Sequence, residues 1–362
     1  MEKTTPLYQK HKSLGAKLID FAGYTMPVWY KGIIEEHKAV RERVGLFDIT
    51  HMGEILITGL DREKLVNFLI TNDLNRIDNK QILYTFMCDE NGLILDDLLV
   101  YLQADKILLI VNANKSDNLV KHINENASSY NVEIDNLSNK TGALSLQGPK
   151  SFELCNKIFN ENIDKINYYS YINTEFNGNE IIISRTGYTG EKGVELFFNI
   201  DLCEILWDKL LSEGKEFGIE PCGLGSRDIL RLEMGFPLHG QELQGYTPVD
   251  IQKNWCVAYD KQDFIGKSAL QNLKKAGILT TLSAFVLLEK GIPRHGYDII
   301  KDNKKIGIVT SGGFSPQLDK GIGLCIIPIS ENKVGNTINI KIRENNILAQ
   351  ITKLPFVPNN VK

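Results

Sequence analysis

The stretch Leu93-Ile94-Leu95-Asp96-Asp97-Leu98-Leu99-Val100-Tyr101-Leu102 sets two carboxylates inside an otherwise apolar strand. An ionised carboxylate there is costly unless something binds it. Upstream, Ile82-Leu83-Tyr84-Thr85-Phe86-Met87-Cys88 reads as a partner strand, and Asn91-Gly92 between the two is the dipeptide favoured by a two-residue type I′ turn. With that turn, Glu90 faces Leu93, Phe86 faces Asp97 and Tyr84 faces Leu99. Side chains alternate along a strand, so Asp97, Leu99 and Tyr101 share a face with Tyr84 and Phe86, while Asp96 points to the other side. One acid among aromatics suits a flat, polar-edged heterocycle whose N–H groups the acid reads. The plain alternative is an aspartate solvated at a sheet edge or capping a turn.

The 362 residues, 43% hydrophobic, allow two or three domains with substantial cores. A net charge of −4 with interspersed signs lacks the basic footprint of a nucleic-acid binder. No apolar run approaches the roughly 20 residues that span a bilayer, and the opening Met1–Pro6 has neither signal-peptide nor transit character. Six cysteines and six histidines lie scattered, without C-x-x-C or H-E-x-x-H. The expectation is a cytoplasmic protein with no metal, no membrane and no nucleic acid among its partners.

Along the chain, a turn-rich opening leads to one helix over 33–44, with Gly45 as its stop. Residues 46–57 read as one strand, and His51 within it as a packed, hydrogen-bonded residue. Helices are expected at 62–70, 116–126, 152–159 and 202–214, and strands at 106–111, 143–147 and 180–185. This rhythm suits an α+β arrangement of split βαβ type rather than a long parallel sheet. After about residue 278, short apolar runs (281–288, 297–300, 305–310, 321–327, 337–342 and 347–353) punctuated by Gly, Pro, Asn and Lys predict a small β-barrel or sandwich.

Gly187-Tyr188-Thr189-Gly190-Glu191-Lys192-Gly193 is glycine-rich but lacks the ending of a phosphate-binding loop, and Gly223-Leu224-Gly225 lacks the third glycine of a dinucleotide fingerprint. Within the first loop Tyr188 can stack on a ring. Glu195 is a second acid among apolar neighbours, either ligand-facing or merely solvent-facing. Ser226 reads as the N-cap of a helix whose first turn holds Arg227, against the helix dipole. Arg227 is therefore kept for a ligand, for Glu195, or for an intrahelical pair, while Arg231 reads as structural. No nucleophile elbow supports acyl-enzyme chemistry.

Several stretches together resemble one family. Phe21-Ala22-Gly23-Tyr24-Thr25-Met26-Pro27, Glu36–Arg41, Gly45–Glu54, Leu95–Leu98, Val111-Asn112-Ala113-Asn114, Gln147-Gly148-Pro149, Ser184–Glu191, Gly223–Asp228 and Thr310–Pro316 are similar, in order, to the aminomethyltransferases (T-proteins) of the glycine cleavage system. Tyr24 and Ser226 depart from the usual Trp and Ala, and the extreme C-terminus lacks an obvious counterpart of a further ligand contact.

The resemblance implies a three-domain cloverleaf around a central tetrahydrofolate-binding cavity. The expected domains are 1–54 with 137–245, then 55–136 with 246–278, both α+β, and a barrel over 279–362. The implied reaction takes an aminomethyl group from the lipoyl arm of the H-protein. It releases ammonia and gives 5,10-methylenetetrahydrofolate. Asp97 carries the catalytic role, and Met52, Tyr84, Tyr101, Asn112, Tyr188, Glu195 and Arg227 line the folate site, with Arg227 also meeting the lipoyl arm. The competing expectation is a tetrahydrofolate-dependent demethylase or methyltransferase with another donor. The Lys-Gly-Cys-Tyr-x-Gly-Gln-Glu signature of non-catalytic folate-binding relatives is absent.

Overall fold

The computed structural model describes residues 3–113 and 115–361, so Asn114 of the Val111–Asn114 motif lies outside the described residues. Strands Ile82–Cys88 and Ile94–Leu102 pair antiparallel, with Phe86 opposite Asp97 and Tyr84 opposite Leu99. The closing turn differs from the two-residue expectation. Beyond Met87 the register shifts, Cys88 pairs with Ile94, and Leu95 is left without a partner. Asp89 explains the wider loop: its backbone N–H donates to Leu93 O, and its carboxylate accepts from the N–H groups of Asn91 and Leu93, all at 2.9 Å. A side chain that satisfies two loop amides outweighs the Asn-Gly preference.

This hairpin forms one edge of a five-stranded sheet, continued by Lys106–Val111, Gly53–Thr58 and Glu133–Asn136. Helices Arg62–Leu69 and Ser116–Asn126 cover one face, burying Leu65, Leu69 and Ile123 against Val100 and Leu109. A six-stranded sheet runs Tyr171–Phe176, Asn179–Ser184, Gly193–Asn199, Thr141–Gln147, Val44–Asp48 and Ile219–Pro221. Helices Ser151–Phe159 and Cys203–Glu213 pack on it around Leu146, Phe198 and Trp207. The free faces of the two sheets meet through Phe47, Phe197, Tyr101 and Ile110.

The stretch 46–57 is two strands in two sheets rather than one. The chain turns at 49–52, where Thr50 N–H donates to Asp48 Oδ1 (2.9 Å) and Met52 N–H to Ile49 O (3.0 Å). Gly45 is not a helix stop: the helix is Ile33–Glu42, and Gly45 sits in the following strand. There a Cβ would lie 2.4 Å from Val40 Cγ2 and 2.8 Å from Cys222 Sγ, so close packing demands glycine. The opening is also more ordered than expected, with a short helix Tyr8–Ser13 and a three-stranded sheet of Lys3–Thr4, Tyr24–Trp29 and Lys17–Phe21.

The six apolar runs of the tail are the six strands of a closed barrel, between Thr280 and Thr352, filled by Phe285, Ile299, Ile338 and Ile351. Helix Leu224–Met234 bridges to it: Leu232 packs with Phe86 of the hairpin and Leu324 of the barrel. Arg231 is structural as expected, binding Asp228 (2.7 Å) on its own helix and Ser311 (2.8 Å) on the barrel. No helix among the described residues is long and apolar enough to cross a membrane.

Candidate active site

Where the hairpin, the six-stranded sheet and helix Leu224–Met234 converge, a chamber of about 270 Å³ opens. Met52, Tyr84, Asp97, Asn112, Tyr188, Glu195 and Arg227 all line it. Asp97 Oδ2 accepts from the Tyr84 hydroxyl at 2.9 Å, and Oδ1 from Asn112 Nδ2 at 2.6 Å. Burial, reinforced by the charge of Asp96, pushes Asp97 up to about 6, although Tyr84 and Asn112 pull it down.

Asp96 alternates toward the core as the strand period requires, and is fully buried. Its carboxylate is nevertheless not segregated from Asp97. Asn112 binds it through both its N–H (3.0 Å) and Nδ2 (2.9 Å), so one asparagine holds both acids beside the bulge at Leu95. Bulges add local twist, which brings successive side chains closer than a flat strand would.

Glu195 faces inward, accepting from Thr186 Oγ1 at 2.6 Å; burial raises its carboxyl above the usual range. Arg227 meets Glu195 only as a charge at a distance. Its guanidinium lies 4.9 Å from the centroid of the Tyr188 ring, and its Nη1 is buried without a hydrogen-bond partner. The Tyr188 hydroxyl donates to Pro237 O, and its ring stacks on Phe236. Ser226 is not the N-cap of Arg227's helix. Gly223 holds that position, and its N–H donates to Glu36 Oε2 at 2.8 Å, while Ser226 Oγ turns back to Gly223 O. A carboxylate from the Ile33–Glu42 helix thus supplies the cap.

Tyr101 does not reach the chamber. It is fully buried behind the wall, donating to Ser184 Oγ (2.9 Å), which contacts Thr186 (2.7 Å) and so leads to Glu195. Alternation identified its face but not its depth.

Residues without any sequence signal complete the walls. Tyr169 holds a left-handed backbone (φ 58°), and His51 lines the chamber without a hydrogen bond at its buried Nδ1, its ring edge-on to Phe21. Burial, with Arg227 nearby, lowers His51 to about 4, so it is neutral rather than the hydrogen-bonded packing residue expected. His239 also enters the chamber, with Nδ1 3.1 Å from Asp96 Oδ1. Asp96, Asp97 and His239 bring one ligand atom each within 4.8 Å of one another, a donor set that could hold a cation, where no metal was expected.

Two further cavities share walls with the chamber. One, about 430 Å³, shares Tyr84, Asp97 and Tyr188 and carries Lys253, Asn359 and Trp255, which stacks on Tyr84 (5.7 Å, 25°). The other, about 350 Å³, shares Phe21, Tyr188 and Arg227 and continues to Ile19, Arg294 and His295. At the C-terminus, Asn360 N–H donates to Gly190 O (2.7 Å) and Arg185 reaches Val361 O (3.1 Å), tying the tail to the glycine-rich loop.

The GCVT N-terminal domain family model matches residues 7–261, and that of the glycine cleavage T-protein C-terminal barrel domain matches 281–358. The chain is 44% identical to the aminomethyltransferase of Caldanaerobacter subterraneus subsp. tengcongensis, over 99% of this chain and 97% of that one. It is 43% identical to that of Halothermothrix orenii, over 98% and 100%. The crystal structure of glycine cleavage system aminomethyltransferase T from Bartonella henselae superposes with a TM-score of 0.94 at 29% identity, covering 99% of both chains. With both lobes and the barrel matched end to end, the chain belongs to the glycine cleavage T-protein family of aminomethyltransferases.

Proposed function

We propose that the chamber is where this aminomethyltransferase brings tetrahydrofolate and the aminomethyl-loaded lipoyl arm of an H-protein together. The observation that carries this reading is Asp97: a carboxylate inside a cavity, oriented by Tyr84 and Asn112 rather than neutralised by a cation. Such an acid binds pterin N–H groups and stabilises positive charge that develops as the transferred carbon changes partners. Glu195 and Arg227 hold ring and substrate at the opposite wall, which is catalysis by positioning. Tyr101 supports Glu195 through Ser184 and Thr186.

The two adjoining cavities suit two entrances. The one with Trp255 and Lys253 fits an aromatic ring followed by carboxylates, as in the aminobenzoyl-glutamate end of folate. The one reached past Ile19 and Phe21 to Arg227 fits an aliphatic arm. In the reaction the carbon stays at the formaldehyde level. Two C–N bonds to folate replace one C–N and one C–S bond, and the two folate N–H protons leave with ammonia and the thiol. The three separate cores support the expected division into 1–54 with 137–245, 55–136 with 246–278, and 279–362. Six free, buried cysteines suit the reducing cytoplasm.

The test incubates the protein with tetrahydrofolate and aminomethyl-loaded H-protein. Ammonia and 5,10-methylenetetrahydrofolate are expected in equal amounts. Neither product, with turnover of a methylated nitrogen or sulfur donor instead, overturns the reading in favour of a demethylase.

A further inference from the structure

We propose that Asp96 and His239 form an acid–base dyad that carries a proton during the transfer, while Asp97 anchors the pterin. The inference rests on the aminomethyltransferase reading and adds a proton carrier to it.

Asp96 is fully buried, and Asn112 locks its carboxylate through two contacts. On its free side stands His239, whose side chain is 12% exposed and whose Nδ1 lies 3.1 Å from Asp96 Oδ1. Neither ring nitrogen completes a well-aligned hydrogen bond among the described residues. An imidazole set against a fixed carboxylate at one nitrogen and uncommitted at the other has the geometry of an oriented general base, and such contacts tighten when substrate binds.

The chemistry needs such a group. The other polar side chains at the chamber are committed or unsuited. Tyr84 donates to Asp97 and Tyr188 to Pro237 O, while Glu195 accepts from Thr186. Arg227 cannot release a proton near neutrality, and neutral His51 has no acid beside its buried Nδ1. The charged and titratable groups that face His239 are Asp96 and Asp97 from the strand, Tyr188 from the loop, Glu195 from the neighbouring sheet, and Arg227 from the helix. As the folate nitrogen forms its bond to the transferred carbon, its N–H bond breaks and the proton passes to His239 Nε2. The imidazolium gives that proton to the amine nitrogen as the C–N bond to ammonia breaks and nitrogen keeps the electron pair. No oxidant or reductant enters.

The test measures kcat and KM of the full chain with tetrahydrofolate and aminomethyl-loaded H-protein from about pH 5.5 to 8.5, a range that brackets histidine titration. His239→Gln keeps hydrogen-bonding capacity without a titrating proton. It is expected to lower kcat by about a hundredfold, leave the KM for tetrahydrofolate within a few-fold, and abolish the histidine-dependent limb of the profile. Added imidazole is expected to restore turnover to His239→Ala. Wild-type-like kcat in His239→Gln overturns the proposal, as does lost activity with an unchanged pH profile and no imidazole rescue. A wild-type chain that releases no ammonia defeats the parent reading, and the dyad with it.

Discussion

Asp97 Oδ2 accepts from Tyr84 and Oδ1 from Asn112, so the carboxylate keeps its orientation without a counter-cation. Its ionised form is the one that grips a pterin, and burial followed by Asp96 places its titration near 6. We therefore predict that kcat/KM for tetrahydrofolate rises with pH through about 6 and levels off above it, as a pH–rate profile will show. Stability has the opposite sign. A carboxyl raised above its ordinary 3.8 contributes stability below that value, and the contribution is lost as pH rises through about 6. Asp97→Asn should accordingly keep or raise the melting temperature at neutral pH while turnover falls by about a hundredfold or more. Tyr84 and Asp97 were legible because a period of two fixes which side chains share a face. Tyr101 was misplaced because the same period says nothing about whether a second sheet covers that face. His239 was invisible: it lies on an irregular segment, where no spacing relates it to Asp96.

Local patterns located most elements, and failures fall where a distant side chain closes a turn or a cap. Helix Leu224–Met234 begins at Gly223 because Glu36, far away in sequence, accepts the Gly223 N–H and also that of Tyr30. Glu36→Ala leaves these donors unpaired, an expected loss of about 2–4 kcal/mol in denaturant titrations. Because the same helix presents Arg227, the KM for tetrahydrofolate should rise with it. In the hairpin, Asp89→Ala removes the acceptor for two loop amides and should cost about 1 kcal/mol by the same measurement. The register of Phe86 opposite Asp97 survived the misjudged turn because the shift at Leu95 offsets the wider loop.

The molecule holds its chamber by joining three separately built cores. Glu233, on the bridging helix, binds Arg41 (2.6 Å) and His37 (2.9 Å) of the first lobe and Ser315 (2.6 Å) of the barrel. Burial alone would raise Glu233, but these partners outweigh it and hold the carboxyl below the usual range. Its stabilising contribution is therefore present above about pH 4.5 and lost as pH falls through the lowered value. Arg41→Met strands Glu233 and Glu191 and should destabilise the fold by about 3–5 kcal/mol, read from chemical unfolding at neutral pH. The barrel was legible as a train of short strands, whereas the passage of the chain between sheets at 49–52 was not, because a turn made by Asp48 and Thr50 interrupts an unbroken apolar pattern. The most direct measurement is a crystal structure of the protein with tetrahydrofolate bound. The account predicts the pterin inside the chamber, its ring nitrogens within hydrogen-bonding distance of Asp97; density for the pterin elsewhere, with Asp97 untouched, would contradict it.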